Sequence, residues 1–265
     1  MVEPLSQRLK AIARKGLGGL LIIALLTGVG IALKPLQAPV WATVKADQPE
    51  LDLESLDAAL GQGLVLGVLG GFRAMVADLL YIRAYMAWEK KDLGSLETLL
   101  PMVVAIDPRP YFFWGEGALM LGFDTPVWLI RQQGGIHQVP EGVQQRLFHQ
   151  QANRALGFLE KAERWHDQNP RWYQDQAHLH WHRLGDRAAA ASLYQEAATL
   201  PDSPFGMARI YGILMEQLER YAEAADFLEA YRQQRQDRLT AHERNLLEED
   251  IAHYREQAAL AATKP

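Results

Sequence analysis

The sequence predicts an all-α protein: an N-terminal transmembrane helix followed by a helical-repeat domain of the α-solenoid type. Three observations predict it. Residues 16–33 (GLGGLLIIALLTGVGIAL) are eighteen consecutive residues without a charge. Beyond Asp52, apolar residues recur three and four apart, and strand-like alternation is scarce. The C-terminal half is similar to itself at a shift of about 34 residues, the length of a helix–turn–helix repeat.

The anchor, residues 16–34, rests on length: at ~1.5 Å per residue its apolar run just crosses a hydrocarbon core of ~30 Å. Arg8, Lys10, Arg14 and Lys15 precede it, with no Asp or Glu between Ser6 and Leu33. Residues 1–15 are therefore expected in the cytoplasm and the rest of the chain on the far side of the membrane. A cleaved signal with Val40-Trp41-Ala42 as its small-residue site is the alternative. The run exceeds the ~7–15 residues of a signal core, which favours a retained anchor.

Residues 35–51 hold three prolines and no helical period, and read as an extended linker. The 265-residue chain has no cysteine, which excludes disulfides, thiolate chemistry and cysteine-based metal sites. Its net charge is −5 and no basic tract follows the anchor. Nucleic acid is not the expected partner, because phosphate recognition needs clustered Lys and Arg.

Breaks are expected at Pro101, Asp107-Pro108, Gly134-Gly135, Pro140, Asn169-Pro170 and between Pro201 and Pro204. They leave segments of about a dozen residues, the layout of stacked antiparallel helix pairs. Residues 52–136 read as a degenerate region in which Leu80–Trp88 and Leu93–Val104 make one helix–turn–helix. A second pair begins at Tyr111-Phe112-Phe113-Trp114. Residues 137–238 carry the repeats. A shift of 34 places Ala190 on Ala224, Ala191 on Ala225, Leu193 on Phe227, Tyr194 on Leu228, Trp181 on Met215 and Leu184 on Leu218. A shift of 35 places Ala155, Leu159 and Ala162 under Ala190, Tyr194 and Ala197. Small residues permit close helix approach and large ones fill the gaps between pairs, while Gly185-Asp186 suits the intervening turn. The period is that of the tetratricopeptide repeat. Residues 171–234 then form two units, 143–166 supply the second helix of an earlier one, and 239–265 form a C-terminal capping helix. The glycine expected in the first helix is His178 in one unit and Gly212 in the next.

With its N-terminal anchor, GGFRAMVADLLYIRAYMAWEKKD at 70–92, AIDPRPYFFW at 105–114 and the two late repeats, the chain resembles a family of bacterial envelope proteins with tetratricopeptide-like repeats. The resemblance implies an inner-membrane, single-pass protein with its repeats in the periplasm, working in an envelope or transport complex. It assigns no catalytic residue.

Three constellations have chemistry to offer. Arg73, Asp78 and Arg83 interrupt an apolar segment, and Asp78 is expected to pair with one of the two arginines. Residues 64–80 could alternatively make a second transmembrane helix, a hairpin with 16–33 that leaves the repeats cytoplasmic. Arg73 and Asp78 near its middle argue against that, at ~2.5–3.5 kcal/mol each. His178 and His182 share a helix face, so an envelope metal-dependent protein using the 178–182 histidines is an alternative function. The glutamate that follows the first His in helical zinc proteases is Leu179 here. No nucleophile motif or phosphate loop is present, so no enzyme, cofactor or resident metal is expected. The expected function is a scaffold that binds a protein or peptide in a groove lined by first helices. Trp172, Asp175, His182, Arg183, Arg209 and Glu216 are its contact residues.

Overall fold

Among the described residues, 71–263 of the computed structural model, every regular element is a helix. These residues fall in the second of the two units of the chain, 1–52 and 53–265. The anchor expected at 16–34, the linker 35–51 and the apolar residues 64–70 lie outside them. None of the described helices is long and apolar enough to cross a membrane.

Helix α1 (Arg73–Glu89) buries Val76, Ala77, Leu80, Ala84 and Ala87 along one face, at spacings of three and four. It packs on α2 (Leu93–Ile106), which buries Leu96, Leu100, Val103 and Ile106. The turn between them closes with Lys91 at φ +58°, and Asp92 caps α2 by accepting from the Ser95 N–H at 3.2 Å. Residues 73–80, half of the run weighed as a second transmembrane helix, are thus the start of a helix packed on its neighbour. Two expectations are corrected here. Pro101 does not break α2: its side chain is exposed, so the one ladder bond lost lies toward solvent. Asp78 is exposed and forms no ion pair among the described residues. Arg73 is buried instead and donates Nε–H to the Ile106 carbonyl at 2.6 Å, tying the ends of the hairpin together.

Helix α3 (Tyr111–Leu119) passes through a π-turn (Met120–Asp124) into α4 (Thr125–Gln132), and α5 (Glu141–Glu160) returns against all three. A short helix α6 (Glu163–His166) leads to α7 (Pro170–Leu179). Asn169 caps α7 by accepting from Arg171 N–H, and Pro170 occupies the first turn, where its missing donor costs nothing. A second π-turn, His180–Leu184, ends at Gly185 (φ +70°), and Asp186 caps α8 (Arg187–Thr199). The pair α9 (Phe205–Gln217) and α10 (Tyr221–Gln234) follows, then α11 (Ala241–Ala262), whose start carries a reciprocal Thr240–Glu243 capping box.

Consecutive helices pack in sequence from α7 to α11, a helical-repeat-like stack. The positions aligned in the sequence share one environment. Ala155, Ala190 and Ala224 are buried, as are Leu159, Tyr194 and Leu228. Gly212 shows why a small residue serves there, since a Cβ would stand 2.9 Å from the Tyr254 ring of α11.

Candidate functional site

Two adjoining depressions open between α3 and α7, the first helices of successive hairpins. The larger, about 650 Å3, runs between Tyr111, Phe112 and Glu116 on one wall and Arg171, Gln174 and Asp175 on the other. The smaller, about 190 Å3, continues to Phe123, His178 and His182. Gly115, Leu119 and Asp175 border both, so they form one groove.

The amino-acid spacing of α3 makes its wall. Phe112, Gly115, Glu116 and Leu119 fall on one face, while Phe113, Trp114, Gly117 and Ala118 are buried on the other. Phe112 is 55% and Leu119 47% exposed, large apolar side chains left uncovered on the groove side. A Cβ at Gly115 would come within 3.1 Å of Asp175 Oδ2, so the glycine leaves room for the group at the groove's centre.

That group is a hydrogen-bonded pair. The Tyr111 hydroxyl donates to Asp175 Oδ2 at 2.6 Å and lies 3.0 Å from the Arg171 carbonyl. Burial pushes the Asp175 carboxyl above the ordinary carboxylate range, against the opposing effects of the Tyr111 hydrogen bond and the Arg171 charge. Burial, and then the Asp175 charge, push the Tyr111 phenol far up. The proton therefore stays on the phenol and is aimed at the carboxylate. Asp175 Oδ1 receives no hydrogen bond among the described residues. The buried Tyr194 hydroxyl of α8 has no hydrogen-bond partner among the described residues, and after burial it is the Asp175 charge that most opposes its ionisation.

At the inner end the His178 and His182 rings lie 5.8 Å apart between centroids. Burial lowers both imidazoles, and for His182 the neighbouring His178 and Arg183 lower it further, so the two rings are held neutral. Among the described residues no group of three His, Asp or Glu side chains could hold a metal ion.

The six expected contact residues divide. Asp175 and His182 line the groove. Trp172 does not present its ring, which is 7% exposed with its N–H donating to the Leu159 carbonyl at 2.8 Å. Arg183 lies with its guanidinium over Phe123 and Phe148, at 4.5 and 4.7 Å, and donates to the Phe123 carbonyl. It clamps α5 to the first π-turn. Arg209 forms a two-pronged ion pair with Asp250 of α11 at 2.6 and 3.1 Å, and Glu216 contacts His253 at 3.0 Å. The last helix thus takes up Arg209 and contacts Glu216, both of which sequence reasoning left to a partner. Sequence reasoning missed the whole α3 wall. Its signal was Phe112 and Leu119 seven residues apart with Gly115 between them, on a helix whose other face is also apolar.

No family model matches this chain, and no curated protein matches it either. What the geometry defines is an all-α, helical-repeat-like stack with a lateral groove between two first helices. The groove holds a recessed carboxylate between aromatic and apolar walls.

Proposed function

We propose that this protein is a non-enzymatic, membrane-anchored scaffold with tetratricopeptide-like repeats, which holds a protein segment in the α3–α7 groove. On this reading the anchor at 16–33 confines the groove to the membrane, so that partners meet it at raised effective concentration. The sequence resemblance supports a bacterial inner-membrane location with the repeats periplasmic, in an envelope or transport assembly. The observation that carries the binding role is the uncovered apolar wall, Phe112 and Leu119, facing a half-buried carboxylate across about 650 Å3. Such anchors in a partly desolvated depression are where interface energy concentrates.

The test is affinity capture from solubilised membranes with the full chain and a Phe112→Ala, Leu119→Arg variant. The reading expects proteins that the first retains and the second loses, with equal helical circular dichroism and equal membrane fractionation. Identical captured sets from both would end it.

A further inference from the structure

The groove's charge identifies the chemistry of its occupant. Asp175 stands recessed where the two depressions meet, with Oδ2 taken by Tyr111 and Oδ1 without a hydrogen-bond donor. Glu116 lies on the facing wall, close enough to Tyr81 of α1 that its charge, after burial, helps push that phenol up to about 12. Aromatic rings flank both acids. Tyr111 is bonded to Asp175, and Phe112 stands edge-on to Tyr81 at 5.0 Å. Burial favours the neutral form of the two histidines at the inner end, and among the described residues lining these walls Arg171 is the one lysine or arginine. It is exposed and forms no ion pair with Asp175. A half-buried carboxylate with one oxygen short of a donor, in a groove with aromatic side chains on its wall, is a receptor for a positive charge.

The chain contains its own example of this helix face covered. At the repeat shift of 34, Asp175 and His178 of α7 and His182 of the π-turn that follows it correspond to Arg209, Gly212 and Glu216 of α9. On α9 the covering helix is α11, which sets Asp250 against Arg209, Tyr254 over Gly212 and His253 against Glu216. Arg209 is met by an opposite charge, and Glu216 by a hydrogen-bonding imidazole. On α7 the first position carries the opposite sign, so its complement is a cation.

We propose that the occupant of the α3–α7 groove is a protein segment bearing a lysine or arginine whose cationic group is received by Asp175, with apolar residues beside it on Phe112 and Leu119. The inference rests on the binding role proposed above and names the chemistry of the partner. Tyr111 is a positioning residue: it fixes the carboxylate and leaves one oxygen for the incoming N–H donor. Glu116 adds longer-range attraction at the groove mouth. Arg171 competes, so its removal strengthens binding.

The test is selection of a randomised twelve-residue display library on the full chain in detergent. Selected clones are expected to be enriched in Lys or Arg flanked by apolar residues. Binding of a selected peptide should fall by at least about tenfold with Asp175→Asn and rise with Arg171→Ala. Replacing its basic residue by glutamine should cost as much as Asp175→Asn and nothing further in that variant. Leu119→Trp, which fills the groove, should abolish binding. Uncharged or acidic clones that are lost in Leu119→Trp would overturn the cation inference while leaving the groove in place. Clones indifferent to Leu119→Trp, or no enrichment at all, would overturn both.

Discussion

The same positions of two successive repeats meet opposite fates. On α9, Arg209, Gly212 and Glu216 lie under α11, where the ion pair is two-pronged and the Tyr254 ring fills the space above the glycine. On α7 and the π-turn that follows it, Asp175, His178 and His182 face an open groove. There burial raises the Asp175 carboxyl and lowers both imidazoles. The first arrangement spends its polar groups on holding the stack closed. The second carries partly desolvated groups that are only partly paired, Asp175 holding one hydrogen bond from Tyr111, and such a cost in stability is retained where it serves binding.

Four measurements break or sharpen that contrast. The largest effect belongs to the closed seam. Tyr254→Ala removes a ring that is 4% exposed and leaves a cavity over Gly212. Chemical denaturation should register a loss of about 3 kcal/mol. Next, a double-mutant cycle on Arg209→Ala and Asp250→Ala should return a coupling of about 1 kcal/mol, the range of a partly exposed two-pronged pair.

At the open groove the sign should reverse. The folded Asp175 pKa lies above its unfolded value near 3.8. This carboxylate therefore erodes stability as pH rises from about 3.8 through the folded value, and at pH 7 the charged form is a burden. Asp175→Asn should hold or raise stability at pH 7, by up to about 1 kcal/mol, whereas it should weaken binding. A clear destabilisation by Asp175→Asn would mean that the carboxylate belongs to the fold and the contrast is lost.

The smallest effect concerns the support of the groove wall. His166 is buried, with Nε2 3.0 Å from the Pro108 carbonyl and its ring edge-on to Tyr111 at 5.2 Å. Burial lowers its pKa below the ordinary 6.5. Its contribution is therefore fully present above about pH 6.5 and is lost as pH falls through the folded value. Thermal unfolding between pH 7 and pH 5 should show a flatter pH dependence for His166→Gln than for the parent chain.

Much of the fold was legible because its determinants are local or periodic. The breaks at Asp107-Pro108, Asn169-Pro170 and Gly185-Asp186 sit at helix ends, where a cap or a positive φ is needed. Ala190 and Ala224, aligned by the repeat, are both buried because the same approach of helices recurs. Pro101 misled because a proline signals a lost donor and not which side of the helix loses it. The two π-turns carry no marker in the sequence at all. The site was half legible for a related reason. Helical spacing shows which residues share a face, and Asp175 of α7 and His182 of the following π-turn, both named from it, line the groove. It does not show which neighbour covers a face. Arg209 and Glu216 meet α11, and Trp172 turns inward to the Leu159 carbonyl, through contacts 13 to 41 residues apart in the chain. The facing wall on α3 required knowing that Tyr111 reaches Asp175, 64 residues away.

The central claim is that the α3–α7 groove is occupied by another protein in the membrane, whereas the corresponding face of α9 is already covered by α11. Site-specific photocrosslinking in intact membranes tests it most directly, with a benzophenone side chain at position 112 in the groove and, for comparison, at the exposed position 222 on α10. The account predicts a discrete crosslinked partner from position 112 that disappears with Asp175→Asn, and none from position 222. Equal products from both positions, or none from position 112, would contradict it.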